Sequence, residues 1–175
     1  MAILIVTEGV NLFQGNDPTT SRHLNLESVG LPELEEKTDN HIGGGMVGEI
    51  DIGMGVYKPL EIKFKSKGVD IPMMRDFGLG SAKRLPYTIV GARRDRITGE
   101  MFEMKAHFEG RLVQISQDDM KRGENQSFDF TFKEVFHYEL YERGEQLFYY
   151  DVLTNKAVSG GIDPNEELNR ILRIS

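Results

Sequence analysis

Apolar and polar residues alternate from Phe128 to Lys133, and the alternation resumes through Phe136, Tyr138 and Leu140. Period two is the signature of a strand, whose successive side chains point to opposite faces. Phe128, Phe130, Phe132, Phe136, Tyr138 and Leu140 therefore share one face, and Asp129, Thr131, Lys133, His137 and Glu139 the other. Glu134 breaks the apolar row once, which predicts a bulge or a partnered carboxylate there. Strands usually stop after about 5–6 residues, and this pattern runs more than twice as far. A strand so long, apolar on one side and polar on the other, belongs in the wall of a barrel or sandwich.

The same pattern recurs upstream. Phe102, Met104, Ala106, Phe108 and Leu112 alternate with Glu103, Lys105, His107, Glu109 and Arg111. Leu60, Ile62 and Phe64 alternate with Glu61, Lys63 and Lys65, and Ile50, Ile52 and Met54 with Glu49 and Asp51. Leu85, Tyr87 and Ile89 carry the pattern toward a tip at Arg93-Arg94. Ile3–Val6 and Val10–Phe13 flank Thr7-Glu8-Gly9 as a small N-terminal hairpin, and His23–Glu27 resumes a strand. Turns are expected at Asn16–Ser21, at Ile97-Thr98-Gly99 and at Arg143-Gly144-Glu145. Half-buried strands joined by short polar turns predict a mainly antiparallel, all-β domain.

Two helices are predicted. Asp70-Ile71-Pro72 is a start signal and Gly78 or Gly80 the stop, with Ile71, Met74 and Phe77 on the inner face. Asp163-Pro164-Asn165-Glu166 reads as a capping box led by Asp163, followed by a Leu168, Ile171, Leu172 stripe. The sharpest break is Gly43-Gly44-Gly45, because glycine has no side chain to pack and loses the most entropy on ordering. The charged lead Glu35–Asn40 precedes it, and the strand pattern restarts at Val47.

At 175 residues the whole chain, 1–175, reads as one domain with room for a real core. No apolar run approaches the roughly 18 residues of a membrane span. Ala2–Val6 is too short for a secretory apolar core and lacks a basic leader, so export by that route is not expected. With no cysteine, disulfides, thiol nucleophiles and cysteine–zinc sites drop out together, in keeping with a cytoplasmic origin. A formal charge of −7 argues against nucleic acid as a bound ligand. Arg93, Arg94 and Arg96 form the tightest basic cluster, with Asp95 inside it. They read either as a solvated turn or as a docking patch for an acidic partner.

Candidate chemistry is sparse. Gly43-x-Gly45-x-x-Gly48 has dinucleotide-fingerprint spacing, but a strand pattern follows where the phosphate-binding helix should stand, so no nucleotide site is expected. His23, His41, His107 and His137 lie far apart in sequence and mark no zinc ligand set, although His107 and His137 become neighbours if their strands pair. No nucleophile elbow, P-loop or calcium loop is present. No catalytic site, cofactor or metal is expected.

The segment Leu31-Pro32-Glu33-Leu34-Glu35-Glu36-Lys37, then Gly44-Gly45-Met46, then Ile50-Asp51-Ile52-Gly53-Met54 resembles the major tail tube proteins of contractile-tailed phages and R-type pyocins. The order of elements agrees over nearly the whole chain, through a short helix at Ile71–Leu79, the Gly110-Arg111 strand, the Lys121–Glu124 loop, Tyr138-Glu139-Leu140 and Gly144. The loop Asn16–Arg22 is longer than the family usually carries, and the ending Leu172-Arg173-Ile174-Ser175 lacks its frequent glycine-leucine finish.

The resemblance implies an antiparallel β-sandwich or small barrel with one short flanking helix and a C-terminal helix. Its subunits would form hexameric rings stacked into a tube, paired with a sheath, baseplate, tape-measure and terminator proteins, in a virion assembled in the host cytoplasm. DNA would pass through the bore without specific binding, and a ring carrying formally about −42 would discourage sticking. The segment Glu35–Gly55 is the candidate inter-subunit or inter-ring arm, with Glu35, Glu36, Lys37, Asp39, Gly43, Gly44, Gly45 and Met46 as its contact residues. Arg93, Arg94 and Arg96 are the candidate sheath or partner dock. Tubes of pyocin-like or type VI secretion devices are the near alternatives. A monomeric β-sandwich that binds a small ligand, with Tyr149-Tyr150 as its faint site, is the alternative of another class.

Overall fold

The computed structural model describes residues 4–78 and 82–174. The strands are β1 (Ile5–Gln14), β2 (Leu26–Gly30), β3 (Glu36–His41), β4 (Ile50–Tyr57), β5 (Ile62–Lys67), β6 (Leu85–Asp95), β7 (Met101–Gln117), β8 (Ser127–Glu142), β9 (Glu145–Asp151) and β10 (Lys156–Ser159). The helices are α1 (Ile71–Asp76) and α2 (Glu166–Leu172), and Pro18–Thr20 forms a 3-10 turn. Eight strands build one antiparallel sheet in the order β1-β6-β7-β8-β5-β2, with β9 added to β8 and β10 to β9. β3 and β4 pair with each other as a separate two-stranded sheet.

β7 and β8 are the spine, at 17 and 16 residues. β8 lies between β7 and β5 up to Phe132, and between β7 and β9 from His137 onward. The partner exchange happens at a bulge where Glu134, Val135 and Phe136 stand opposite Gly110 alone. Both expectations for Glu134 are met: it sits in the bulge at φ +51, and Arg111 Nη2 lies 3.0 Å from its carboxylate. Gly110 faces the bulge closely, and a Cβ there would touch Lys133 O and Val135 Cγ2, each at 3.4 Å. The bulge also corrects one assignment. Val135 takes the core position expected for Phe136, which is half-buried beneath the Arg84 guanidinium at 4.0 Å.

The predicted alternation otherwise sets the core. Phe102, Met104, Ala106, Phe108 and Leu112 of β7, Ile62 and Phe64 of β5, and Tyr87 and Ile89 of β6 are all buried. They meet the β8 rings: Phe132 has its centroid 4.9 Å from Tyr87, 5.3 Å from Phe108 and 5.6 Å from Phe64. Offset and edge-on rings at such spacing add to plain apolar burial. Leu12 of β1, Phe148 of β9 and Met73 of α1 complete the cluster, so the curved sheet closes its apolar face around one core.

Local chemistry explains the connections. Arg143 (φ +52) and Gly144 (φ +80) form the mirror-image two-residue turn that suits the twist of a hairpin. The Asp95 carboxylate takes the Ile97 amide at 2.8 Å and tightens the turn between β6 and β7. Asp70 caps α1 by accepting the Met73 amide at 3.0 Å. The same carboxylate pairs with Arg22 Nε at 2.8 Å, both side chains being buried. This ion pair fastens the Asn16–Arg22 loop to α1.

Other expectations change. The N-terminal hairpin is one strand, β1, because β6 offers a continuous edge and the Thr7-Glu8-Gly9 turn signal is absorbed as a bulge; Ile3 lies outside the described residues. His23 and Leu24 belong to a turn, and the strand starts at Leu26. On α1 the buried residue is Met73, while Ile71 is exposed. That helix stops at Asp76, before Gly78; Leu79 and Gly80 lie outside the described residues. Asp163 does not cap α2, because its Oδ1 accepts the Asn165 amide and the helix begins at Glu166. The charged lead Glu35–Asn40 contributes strand β3, and β4 starts at Ile50 and not at Val47.

Candidate assembly surfaces

The β3–β4 hairpin projects as an arm. Its base is closed by the Lys58 amide donating to Glu35 O at 2.8 Å and by the Glu35–Lys58 ion pair. Glu36 reaches over Gly53 and its Oε1 accepts the Gly55 amide at 2.6 Å. Asn40 Nδ2 donates to Glu49 at 3.0 Å near the far end. At the tip Met46 N donates to Gly43 O, and the Met46 thioether folds back on the Gly43 amide at 3.0 Å. The candidate residues Glu35, Glu36, Lys37, Asp39, Gly43, Gly44, Gly45 and Met46 are thus gathered on one hairpin.

The arm's alternation reads as a half-buried strand, yet no residue of β4 is buried and only Tyr57 at its root is half-covered. Ile50 (49% exposed) and Ile52 (44%) share one face of the regular ladder, and Met54 (52%) and Val56 (56%), in the register break, are open to solvent as well. Tyr57 packs edge-on against Phe148 and Tyr150 and anchors the root. Open apolar residues on a two-stranded ribbon with free edges are the form of a surface that pairs with something else.

A second uncovered face lies on α2. Its buried residue is polar: Asn169 Nδ2 donates to Thr154 O and Asn155 O, and its Oδ1 accepts from Asn155 Nδ2. The predicted stripe points outward, with Leu168 47%, Ile171 65% and Leu172 58% exposed. Sequence periodicity located this stripe, and the fold decides which side it faces.

The basic tip is internally paired. Arg93 Nη1 donates to both oxygens of Glu142 at 2.8 and 2.9 Å, Arg94 grips Glu8 at 2.8 and 3.2 Å, and Arg96 stands 3.4 Å from Glu8. The hydrogen bond from Arg94 holds Glu8 below the usual carboxylate range. The structure does not bring the arginines to one face as a free cluster; of the three, Arg96 is the most exposed.

The polar face of the long hairpin carries a further group that sequence spacing did not mark. His137 lies between Asp151 and Glu139, its Nδ1 at 3.2 Å and its Nε2 at 2.8 Å from their carboxylates. His107 stands opposite Glu139 in the register, diagonal to His137, and its Nδ1 meets Thr88 Oγ1 at 2.7 Å. Burial, then Lys105, lowers the His107 pKa against the opposing pull of Glu139. Among the described residues no cluster of histidine and carboxylate is disposed to hold a metal. Tyr149 packs against the His137 ring and Tyr150 against Tyr57, so the two do not form one aromatic platform.

A family model described as phage tail tube protein FII matches residues 10–172. Among solved structures, the chain is similar to one from the PVC sheath–tube complex of an extracellular contractile injection system in the extended state. That match has a TM-score of 0.54 at 9% identity, covering 76% of this chain and 88% of the other. A second, from the sheath/tube terminator of the same kind of particle, has a TM-score of 0.51 at 10% identity, covering 72% and 89%. At such identities the likeness is one of fold: mainly β, antiparallel, with two helices. A search of curated proteins found no match.

Proposed function

Because the chain belongs to the phage tail tube protein FII family, we propose that it forms the inner tube of a contractile phage tail by stacking hexameric rings whose bore conducts DNA. The observation that carries this reading is the arm: Ile50, Ile52, Met54 and Val56 are exposed on a ribbon, and among the described residues no layer lies over them. A protein working alone gains nothing from such exposure, whereas a polymer buries it in every copy. The single domain is then one building block. Residues Glu35–Asp39 and Gly43–Met46 act as the contact to a neighbouring subunit or ring.

Partners follow from the role. A sheath surrounds the tube, a baseplate starts it, a tape-measure chain fills it and a terminator closes it, within a particle assembled in the host cytoplasm. Arg96, the most exposed of the basic tip, is the residue best placed to meet an acidic sheath surface, with Arg93 and Arg94 available only by exchanging Glu142 and Glu8. The role is structural, with no catalysis. A second reading is favoured by the injection-system structures that the chain resembles: the tube of a pyocin-like device that carries no genome.

Negative-stain imaging of the purified chain tests the proposal. Rings or tubes are expected, and deletion of Gly43–Gly45 should give a folded subunit that no longer polymerises. A compact single particle under all conditions would sink it. Sheath genes without capsid genes beside this one would favour the second reading.

A further inference from the structure

We infer that α2 is a strap held shut by neutral amide groups, which opens and recloses as a unit while the sheet stays folded. Its inner side carries no apolar anchor: the buried residue is Asn169, and no residue of the helix belongs to the apolar core. Asn169 Nδ2 donates to the carbonyls of Thr154 at 3.3 Å and Asn155 at 3.0 Å, and its Oδ1 accepts from Asn155 Nδ2 at 2.7 Å. Asn165 Nδ2 adds a bond to Asn155 O at 3.3 Å. Among the described residues these side-chain bonds are what tie the strap to the body. The last backbone bonds to the body are the pair between Ser159 and Ile162, at 3.0 and 3.1 Å, just before the strap begins.

The receiving turn is fixed where the strap is not. Val152 N donates to Phe136 O at 2.9 Å, and the Thr154 amide to Asp151 Oδ1 at 2.9 Å. Asn155 takes the left-handed conformation at φ +51 and offers the helix both its carbonyl and its side-chain amide. A helix of seven residues does not hold together alone in water, so α2 persists only while this latch is made. Each such bond contributes little net, because water offers the same groups other partners once the strap lifts. The strands of the core, by contrast, open only with the whole body. No ion pair crosses the latch, since Arg170 pairs with Glu167 on the helix itself. Added salt should therefore leave it closed as before. A strap with its own low stability lets a partner order or displace it without refolding the sheet. The device goes beyond the tube reading and does not depend on it.

Hydrogen exchange read by mass spectrometry on dilute subunits tests the strap. The amides of α2 should exchange at least about a hundredfold faster than those of β7. Asn169→Asp keeps the shape of the side chain but sets a carboxylate oxygen against two carbonyls. It should speed exchange in α2 by at least about tenfold, with β7 and the melting temperature unchanged. Ile171→Ser, at a position 65% exposed and with similar helix propensity, should alter neither. Three results would overturn the inference. In the first, α2 is protected as well as β7, so that it opens only with the body. In the second, Ile171→Ser speeds exchange as much as Asn169→Asp, so that apolar packing and not the amides holds the helix. In the third, Asn169→Asp lowers the melting temperature, so that α2 belongs to the cooperative core. All three are read on the free subunit, so the absence of rings in the imaging above would sink the tube reading alone.

Discussion

The Glu36 carboxylate crosses Gly53 on the facing strand and takes the Gly55 amide at 2.6 Å, so that a Cβ on Gly53 would stand 2.6 Å from Glu36 Oε1. The absence of a side chain on β4 thus lets one carboxylate staple the arm across its own ribbon. Gly55 sits at φ +67 in the register break between β3 and β4, where the Glu36 carboxylate takes its amide. Gly53→Val should push Glu36 aside and leave the Gly55 amide open. Hydrogen exchange should then rise in the arm while the melting temperature of the body stays the same. Unaltered exchange at Gly55 would show that the staple does not order the arm.

Arg22 and Asp70 form a buried pair, and removing one partner leaves the other charge unmatched in the interior. Such a loss costs about 3–5 kcal/mol. Arg22→Met should lower stability by about that amount in urea titration, and Asp70→Asn by a comparable amount, since it also weakens the α1 cap. The double variant should lose less than the two combined, because one interaction is being removed twice. Full additivity would mean that the pair is not coupled.

Phe132 stands among Tyr87, Phe108 and Phe64 in the centre of the core. Phe132→Ala should cost about 3–5 kcal/mol, the range for a large aromatic lost from a packed site. Phe136→Ala, at the half-buried bulge position, should cost clearly less. Equal losses in chemical denaturation would contradict the assignment of Val135 to the core side of the bulge.

His107 has its pKa lowered, first by burial and then by Lys105, with Glu139 and Glu103 opposing and His137 adding to the shift. The fold therefore favours the neutral ring. Its contribution is complete above the unfolded value of about 6.5 and is lost as pH falls through the lower folded value. Melting temperature should drop as pH falls below about 6.5, and His107→Gln should flatten that slope. Asp151 follows in a separate, more acidic window. Burial would raise its pKa, but the Thr154 amide and His137 outweigh it, so its stabilisation is present above about 3.9 and is lost below. A slope near neutrality that His107→Gln leaves untouched would assign the effect elsewhere.

Most of the architecture was legible in the residues, because period-two alternation has one simple solution when an apolar face must be buried. The inner faces of β5, β6 and β7 follow directly from it, and Glu134 announced the bulge. The connections depended on local chemistry that is equally readable: Asp70 before Pro72, and Arg143-Gly144 between two strands. The family resemblance carried by Leu31–Met54 pointed to the same kind of protein as the family match.

What periodicity cannot state is what a patterned face packs against. β4 alternates much as β5 does, yet β5 lies inside the sheet and β4 stands outside it, because pairing is settled by which edges meet and not by the strand's own sequence. Leu168, Ile171 and Leu172 form a helix stripe whose side the local pattern leaves open; Asn169 donates to the backbone carbonyls of Thr154 and Asn155, and the stripe faces outward. The Arg22–Asp70 pair joins residues 48 apart in sequence, and no spacing rule links them. The sequence alone therefore determined the long strands β5 to β8, most of their buried faces and the tight turns beside them, since these depend on neighbours along the chain. Only the tertiary structure decided which apolar rows stay open for another molecule, since that depends on which surfaces the folded body leaves uncovered.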